Sequence, residues 1–146
     1  MSYEGMLKQD SLKDKVIIVT GGGTGLGKSM TKYFLELGAK VVITSRKEDV
    51  LKKAKSVGAI DKITSSPAEA IAHADLIILA TPILAMKPLI EEISENISSK
   101  SIITDTGSTK GEIHSWMNEY LPDHTGFVGS HPMAGKTDTG PEAITA

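Results

Sequence analysis

Four short apolar runs punctuate an otherwise mixed chain: KVIIVT at 15–20, AKVVIT at 39–44, LIILATP at 76–82 and SIITDTG at 101–107. Each is continuous rather than alternating, the pattern of a strand covered on both faces. Between them the apolar positions take a helical period. In LGKSMTKYFLELG, Leu26, Met30, Phe34 and Leu37 fall on one face, and Gly38 offers a C-terminal stop. KEDVLKKAKSVG (47–58) predicts a charged helix with Val50, Leu51, Ala54 and Val57 inward. Helices are also expected over 67–73, 84–97 and 110–120, with weaker strands at 62–64 and 127–132.

Strand alternating with helix implies right-handed βαβ units. The expected fold is therefore α/β: Rossmann-like and doubly wound, with a mostly parallel sheet and helices on both faces. The 146 residues suit one domain over 15–146, preceded by a loosely held arm at 1–14. A net charge of -2 lacks the basic face that nucleic-acid binding needs. No apolar run approaches the ~20 residues of a membrane span, and the polar N-terminus has no secretory apolar core. Without cysteine there is no disulfide, thiol nucleophile or thiolate metal site, and a cytoplasmic location is the natural expectation. His73, His114 and His124 are not spaced as a ligand set, so no metal is expected. The single arginine, Arg46, limits where a bidentate anion clamp can form.

TGGGTGLG (20–27) joins the first strand to the first helix, the setting in which glycines bring backbone amides against a pyrophosphate. Its spacing is T-G-x-x-x-G-x-G, through Gly21, Gly25 and Gly27, rather than G-x-G-x-x-G. Residues 22–29 also satisfy G-x-x-x-x-G-K-[ST] letter by letter, so an ATP-binding module is an alternative, in which Asp105 could hold Mg²⁺, although a strand-end role supporting the turn at Gly107 is the favoured reading of Asp105. Against ATP, the second strand runs into Ser45 and Arg46, where a dinucleotide fold reads the adenosine ribose. An acidic residue there favours NAD; Ser45 and Arg46 suit the 2′-phosphate of NADP.

Residues 1–53 resemble a short-chain dehydrogenase/reductase of the dienoyl-CoA-reductase type, through LKDKVIIVTGGGTGLGKSM and YFLELGAKVVITSRK. That resemblance implies NADP binding through Gly21, Thr24, Gly25, Leu26, Gly27, Ser45 and Arg46, with NAD as the second choice. It does not carry that family's chemistry. The catalytic Y-x-x-x-K pair is missing, since Tyr3, Tyr33 and Tyr120 are followed four residues later by Leu7, Leu37 and His124. From about Ser56 onward the chain resembles prephenate/arogenate dehydrogenase instead, through ADLIILATP, IITDTGSTKGEI and FVGSHPMAG. That family opens with a GLGLIGGS-type loop, which this chain lacks. The chain is either a natural variant or a join of two dinucleotide half-folds near residues 50–57.

The second resemblance implies a reaction: prephenate or arogenate loses a hydride to nicotinamide and its ring carboxylate as CO₂. His131 of GSHPMAG would accept the hydrogen bond of the departing hydroxyl proton, and Ser108 of DTGSTK would orient it. Thr81 and Pro82 would line the cofactor. A neutral imidazole suits proton acceptance near pH 7. The family also carries a helical dimerisation and substrate domain, so a homodimer is the implied assembly. That domain, with its substrate-clamping arginine, is absent from these 146 residues, and little activity is expected of them alone. A small short-chain-type NADP-dependent reductase, active as an oligomer, is a further alternative.

Overall fold

Isoleucine and valine occupy successive positions in the central strands because both faces of the sheet are covered. A computed structural model of the chain describes residues 7–44, 62–64, 68, 71–121, 123 and 126–132. The strands are β1 (Val16–Thr20), β2 (Lys40–Thr44), β3 (Lys62–Thr64), β4 (Leu76–Leu79), β5 (Ile102–Asp105) and β6 (Phe127–Val128). The helices are α1 (Gly25–Glu36), α2 (Ile83–Ser94) and α3 (Lys110–Tyr120). The strands form one sheet in the order β3-β2-β1-β4-β5-β6, and every pairing is parallel. All six strands therefore end at one edge. The expected Rossmann-like α/β architecture is the one observed.

Two apolar layers sandwich the sheet. Ile18, Ile77, Leu79 and Ile103 face α2 and α3, meeting Met86, Ile90 and Ile93 from the first and Ile113 and Met117 from the second. Ile17, Val19, Val41, Ile43 and Ile78 face the other way, toward Met30, Phe34 and Leu35 of α1. Full burial of one such side chain stabilises the fold by about 1.5–3 kcal/mol. Neighbouring residues of β1 thus serve opposite layers, which is why the run is continuous.

The end of α1 follows its sequence signal. Gly38, at φ +86°, closes the helix, with its own N–H on the Leu35 carbonyl (3.0 Å) and the Ala39 N–H on the Phe34 carbonyl (3.0 Å). Its start does not follow the apolar pattern. Gly27 and Thr31 are the residues of α1 that face inward and are buried, while Leu26 is 47% exposed. At Gly27 the helix lies so close to the turn after β1 that a side chain does not fit between them, and Leu26 is left in the open.

Residues 7–14, expected as a loose arm, form successive turns instead. The Leu12 N–H donates to the Leu37 carbonyl (3.0 Å), and Leu12 packs on the α1-side layer. Several boundaries are also shorter than expected. α2 stops at Ser94 rather than 97, where the Ser94 hydroxyl caps the Glu91 carbonyl (2.8 Å). β6 covers only Phe127–Val128 of the expected 127–132. The helix expected at 47–58 lies outside the described residues. Among those residues, no helix is long and apolar enough to cross a membrane.

β4 is anchored to β1 at its start by Asp75. The Asp75 carboxylate accepts the Val16 N–H (2.8 Å) and pairs with Lys15 Nζ (3.3 Å). The Val16 hydrogen bond holds its pKa below the ordinary carboxylate value, outweighing partial desolvation, and Lys15 adds to the lowering. The folded-state pKa is thus the lower one, so the stabilisation is present above the unfolded value of about 3.9 and is lost as pH falls through the folded value.

Two stability measurements follow. Ile77→Ala, fully buried between the helices and the sheet, should lower unfolding free energy by about 2–5 kcal/mol in a denaturant melt. Asp75→Asn should cost under about 1 kcal/mol at neutral pH, because the pair is exposed, and should cost nothing below the folded pKa.

Candidate functional site

Parallel strands deliver their connecting loops to the same edge, and the crevice opens where the chain leaves β1 in one direction and β4 in the other. The chain parts there under tight control. Thr20, 1% exposed, donates its hydroxyl to the Ile78 carbonyl (3.2 Å) and accepts the Ala80 N–H (3.0 Å). This side chain continues the β1–β4 pairing past the last backbone bond.

The turn after β1 is tight at Gly21 and Gly27. Gly21 sits at φ +68°, and a Cβ there would lie 2.8 Å from the Ala80 carbonyl oxygen. A Cβ on Gly27 would lie 2.7 Å from the Gly21 carbonyl oxygen, against backbone on every near side. Gly25 differs: a Cβ there would meet nothing within 4 Å among the described residues. The first intrahelical bond of α1 runs from the Lys28 N–H to the Thr24 carbonyl (3.1 Å). The amides of Gly25, Leu26 and Gly27 therefore have no partner within the helix. No acidic residue stands in that first turn, and Thr24 makes no capping bond. Amides at the positive end of a helix that find no partner among the described residues form an anion cradle.

Across the crevice, Thr81 follows β4. Its Oγ1 is buried with no hydrogen-bond partner among the described residues, and its Cγ2 is 3.5 Å from the Cβ position of Gly21. A buried hydroxyl left unpaired is unfavourable and fits a site that a polar ligand completes. Pro82 is exposed at the N-cap of α2. A dinucleotide fits these residues. The ATP alternative fits them poorly: α1 already begins at Gly25, so Lys28 and Ser29 stand inside the helix rather than at the end of a long phosphate loop.

Toward the β6 side, Ser108 lies between β5 and α3, and His131 follows β6; both are exposed. Among the described residues no hydrogen bond joins them. What ties their loops together is Asp105, at the end of β5 and 0% exposed. Its Oδ2 accepts the Gly107 N–H (2.8 Å) and pairs with Lys110 Nζ, and its Oδ1 accepts the Ser130 N–H (3.2 Å). The Ser130 hydroxyl donates to the Asp105 backbone carbonyl. Thr104 Oγ1 donates to the Val128 carbonyl (2.8 Å) and lies 3.1 Å from Ser130 Oγ. Asp105 is thus engaged as a loop support, which leaves it unsuited to hold Mg²⁺. Sequence reasoning missed Ser130, Lys110 as its fellow donor, and Thr20. The D-x-G-S-x-K spacing carried a signal for Lys110, whose place in the first turn of α3 brings it back over the strand end. Ser45 and Arg46 lie outside the described residues.

The family model for the prephenate dehydrogenase nucleotide-binding domain matches residues 27–146. This match begins inside α1, well ahead of the Ser56 boundary expected from the motifs. A cyclohexadienyl dehydrogenase from Zymomonas mobilis is 32% identical over 103 residues, covering 70% of this chain and 35% of that protein. An NADP-dependent (R)-specific alcohol dehydrogenase from Lentilactobacillus kefiri is 56% identical over a shorter stretch of 55 residues, 37% of this chain and 22% of that protein. Among solved structures, prephenate dehydrogenase from A. aeolicus in complex with hydroxyphenyl propionate and NAD⁺ aligns with TM-score 0.70 and 25% identity. It covers 90% of this chain and 46% of that one. The chain thus spans about a third of the length of the cyclohexadienyl dehydrogenase.

The close approach of Gly27 to the Gly21 backbone makes a direct test. Gly27→Ala should separate α1 from the β1 turn, costing about 1–3 kcal/mol in thermal unfolding. It should also weaken binding of a dinucleotide in a calorimetric titration, because the free amides move with the helix.

Proposed function

The chain belongs to the family of prephenate dehydrogenase nucleotide-binding domains, and from that premise we propose that it holds NADP(H) for oxidative decarboxylation of prephenate or arogenate. The observation that carries this reading is the shared edge. The glycine cradle, the Thr81 hydroxyl left without a partner among the described residues, and the loop bearing His131 follow the C-terminal ends of β1, β4 and β6, on one edge of the parallel sheet.

In this reading Gly25, Leu26 and Gly27 present their amides to the pyrophosphate, with Gly21 and Thr24 shaping the turn. Thr81 and Pro82 line the approach to the nicotinamide. A bound nicotinamide supplies the hydride acceptor. Ser45 and Arg46 read the 2′-phosphate, a preference supported by the similarity to an NADP-dependent alcohol dehydrogenase. The A. aeolicus relative was solved with NAD⁺, so NAD is the comparison to make. His131 accepts the hydrogen bond of the substrate's ring hydroxyl as the carbonyl forms, and Ser108 orients that pair once substrate bridges them. The substrate carries two carboxylates. With one arginine in the sequence, assigned to the cofactor, the clamp for those carboxylates comes from a further domain or a second subunit, and turnover by the chain alone is low. A cytoplasmic homodimer acting on a small molecule completes the reading.

Titration with NADPH, NADH and ATP–Mg²⁺ tests it. NADPH should bind at least about tenfold more tightly than NADH, a difference of 1.4 kcal/mol, and Arg46→Ala should erase that preference. Tighter binding of ATP–Mg²⁺ than of either dinucleotide would sink the proposal. Where prephenate oxidation is measurable, His131→Ala should reduce it by roughly 10²–10⁴-fold while NADPH affinity holds.

A further inference from the structure

Among the described residues Asp105 is the charged side chain in the buried core. A carboxylate is costly to bury unless it is paired and hydrogen-bonded. The position alone does not demand one, since Leu79 faces Asp105 in the β4–β5 register and the layers on either side are apolar. Its partners explain it better. The Gly107 N–H and the Lys110 ammonium come from the loop and helix start that carry Ser108. The Ser130 N–H comes from the loop that carries His131. Every polar contact of the carboxylate therefore reaches outward, to one or other of the two segments assigned to the reaction.

A separate contact works in the same direction. Gly129 is hemmed in by α3: a Cβ there would lie 3.2 Å from His114 Nε2 and 3.4 Å from Lys110 Cδ. The His114 ring in turn stands edge-on to Phe127, with centroids 5.0 Å apart. Residues 127 and 129 are thus set against the helix, and residue 130 is set against the end of β5. His131 is the next residue, and its own side chain is exposed.

We propose that Asp105 is a positioning residue for His131: its buried carboxylate, balanced by Lys110, pins the Ser130 backbone to the 107–110 turn and so fixes where the imidazole stands relative to Ser108. The proposal deepens the functional reading above and rests on it for the role of His131. The pinning itself rests only on geometry.

NMR on the full isotope-labelled chain tests it, with the His131 Cε1–H signal assigned by His131→Gln. In the wild-type chain a scalar coupling across the hydrogen bond should connect the Ser130 amide nitrogen with the Asp105 side-chain carbonyl carbon. Asp105→Asn keeps the size but removes the charge that holds Lys110. It should speed exchange of the Ser130 amide roughly tenfold or more and shift the His131 signal, while the Ile18 and Ile77 amides keep their protection. Lys110→Met leaves both backbone donors in place and should shift the His131 signal less. The proposal is overturned if the coupling is absent, a result that stands whether or not the variants fold. It is equally overturned if Asp105→Asn leaves Ser130 and His131 unmoved, or if all sheet amides lose protection by the same factor. A wild-type chain that fails to bind NADPH would remove the functional reading and leave the pinning intact, so the two failures are separable.

Discussion

The pairing of β1 with β4 is the contact on which the rest of the molecule depends. Each strand has its other neighbour on the far side, so this seam joins a β3-β2-β1 wing to a β4-β5-β6 wing. It is fastened at both ends by side chains as well as by the backbone ladder. Asp75 holds the Val16 amide where the strands begin, and Thr20 bridges Ile78 and Ala80 where they end. Between these, Ile17, Ile18 and Val19 are buried almost completely. Because Thr20 lies at the C-terminal end of the seam, it ties together the two strand ends from which the crevice opens. The cradle stands on one lip and Thr81 on the other, its Cγ2 3.5 Å from the Cβ position of Gly21.

The strands were legible because burial on both faces leaves a mark that needs no tertiary knowledge: a continuous β-branched run. The four strong runs all appear as strands, and the weak 62–64 segment does too. The helix stop at Gly38 was legible for a similar reason, since a left-handed closing residue is a local requirement. Leu26 shows where that logic ends. Helical periodicity assigns it to the apolar face, but the inward positions at the start of α1 belong to Gly27 and Thr31. The demand there is proximity of helix to turn rather than burial of apolar surface, and periodicity does not encode how closely two elements approach. The turns at 7–14 were missed on other grounds: their anchor is a backbone bond to Leu37, a partner distant in sequence.

The candidate site divides along the same line. Its glycines stand in one local motif and were found as such, together with the threonine and proline that follow β4. The link between Ser108 and His131 was read as direct, serine to histidine. In the structure the two loops are joined through a buried acid, a lysine at the start of α3 and the backbone of Ser130. Backbone donors carry no side-chain signature, so Ser130 left nothing in the sequence to distinguish it from any serine in a turn. The aspartate and its support of the turn at Gly107 were legible, a partner two residues on, but its pairing with Lys110 and Ser130 was not, because they stand 5 and 25 positions further along the chain.

The strand order also sets the course of folding. β1 and β2 are close in sequence and their crossover helix lies between them, so that wing is assembled from nearby parts. The seam is different: Thr20 and Ile78 are 58 residues apart, and closing so long a loop must precede any reward from the contact. During synthesis the first wing leaves the ribosome with the β4-facing edge of β1 still bare. That edge is apolar, β-branched and ready to pair with a strand from another molecule. Assembly in the cell is therefore a race between the arrival of LIIL and the capture of VIIV by a stranger.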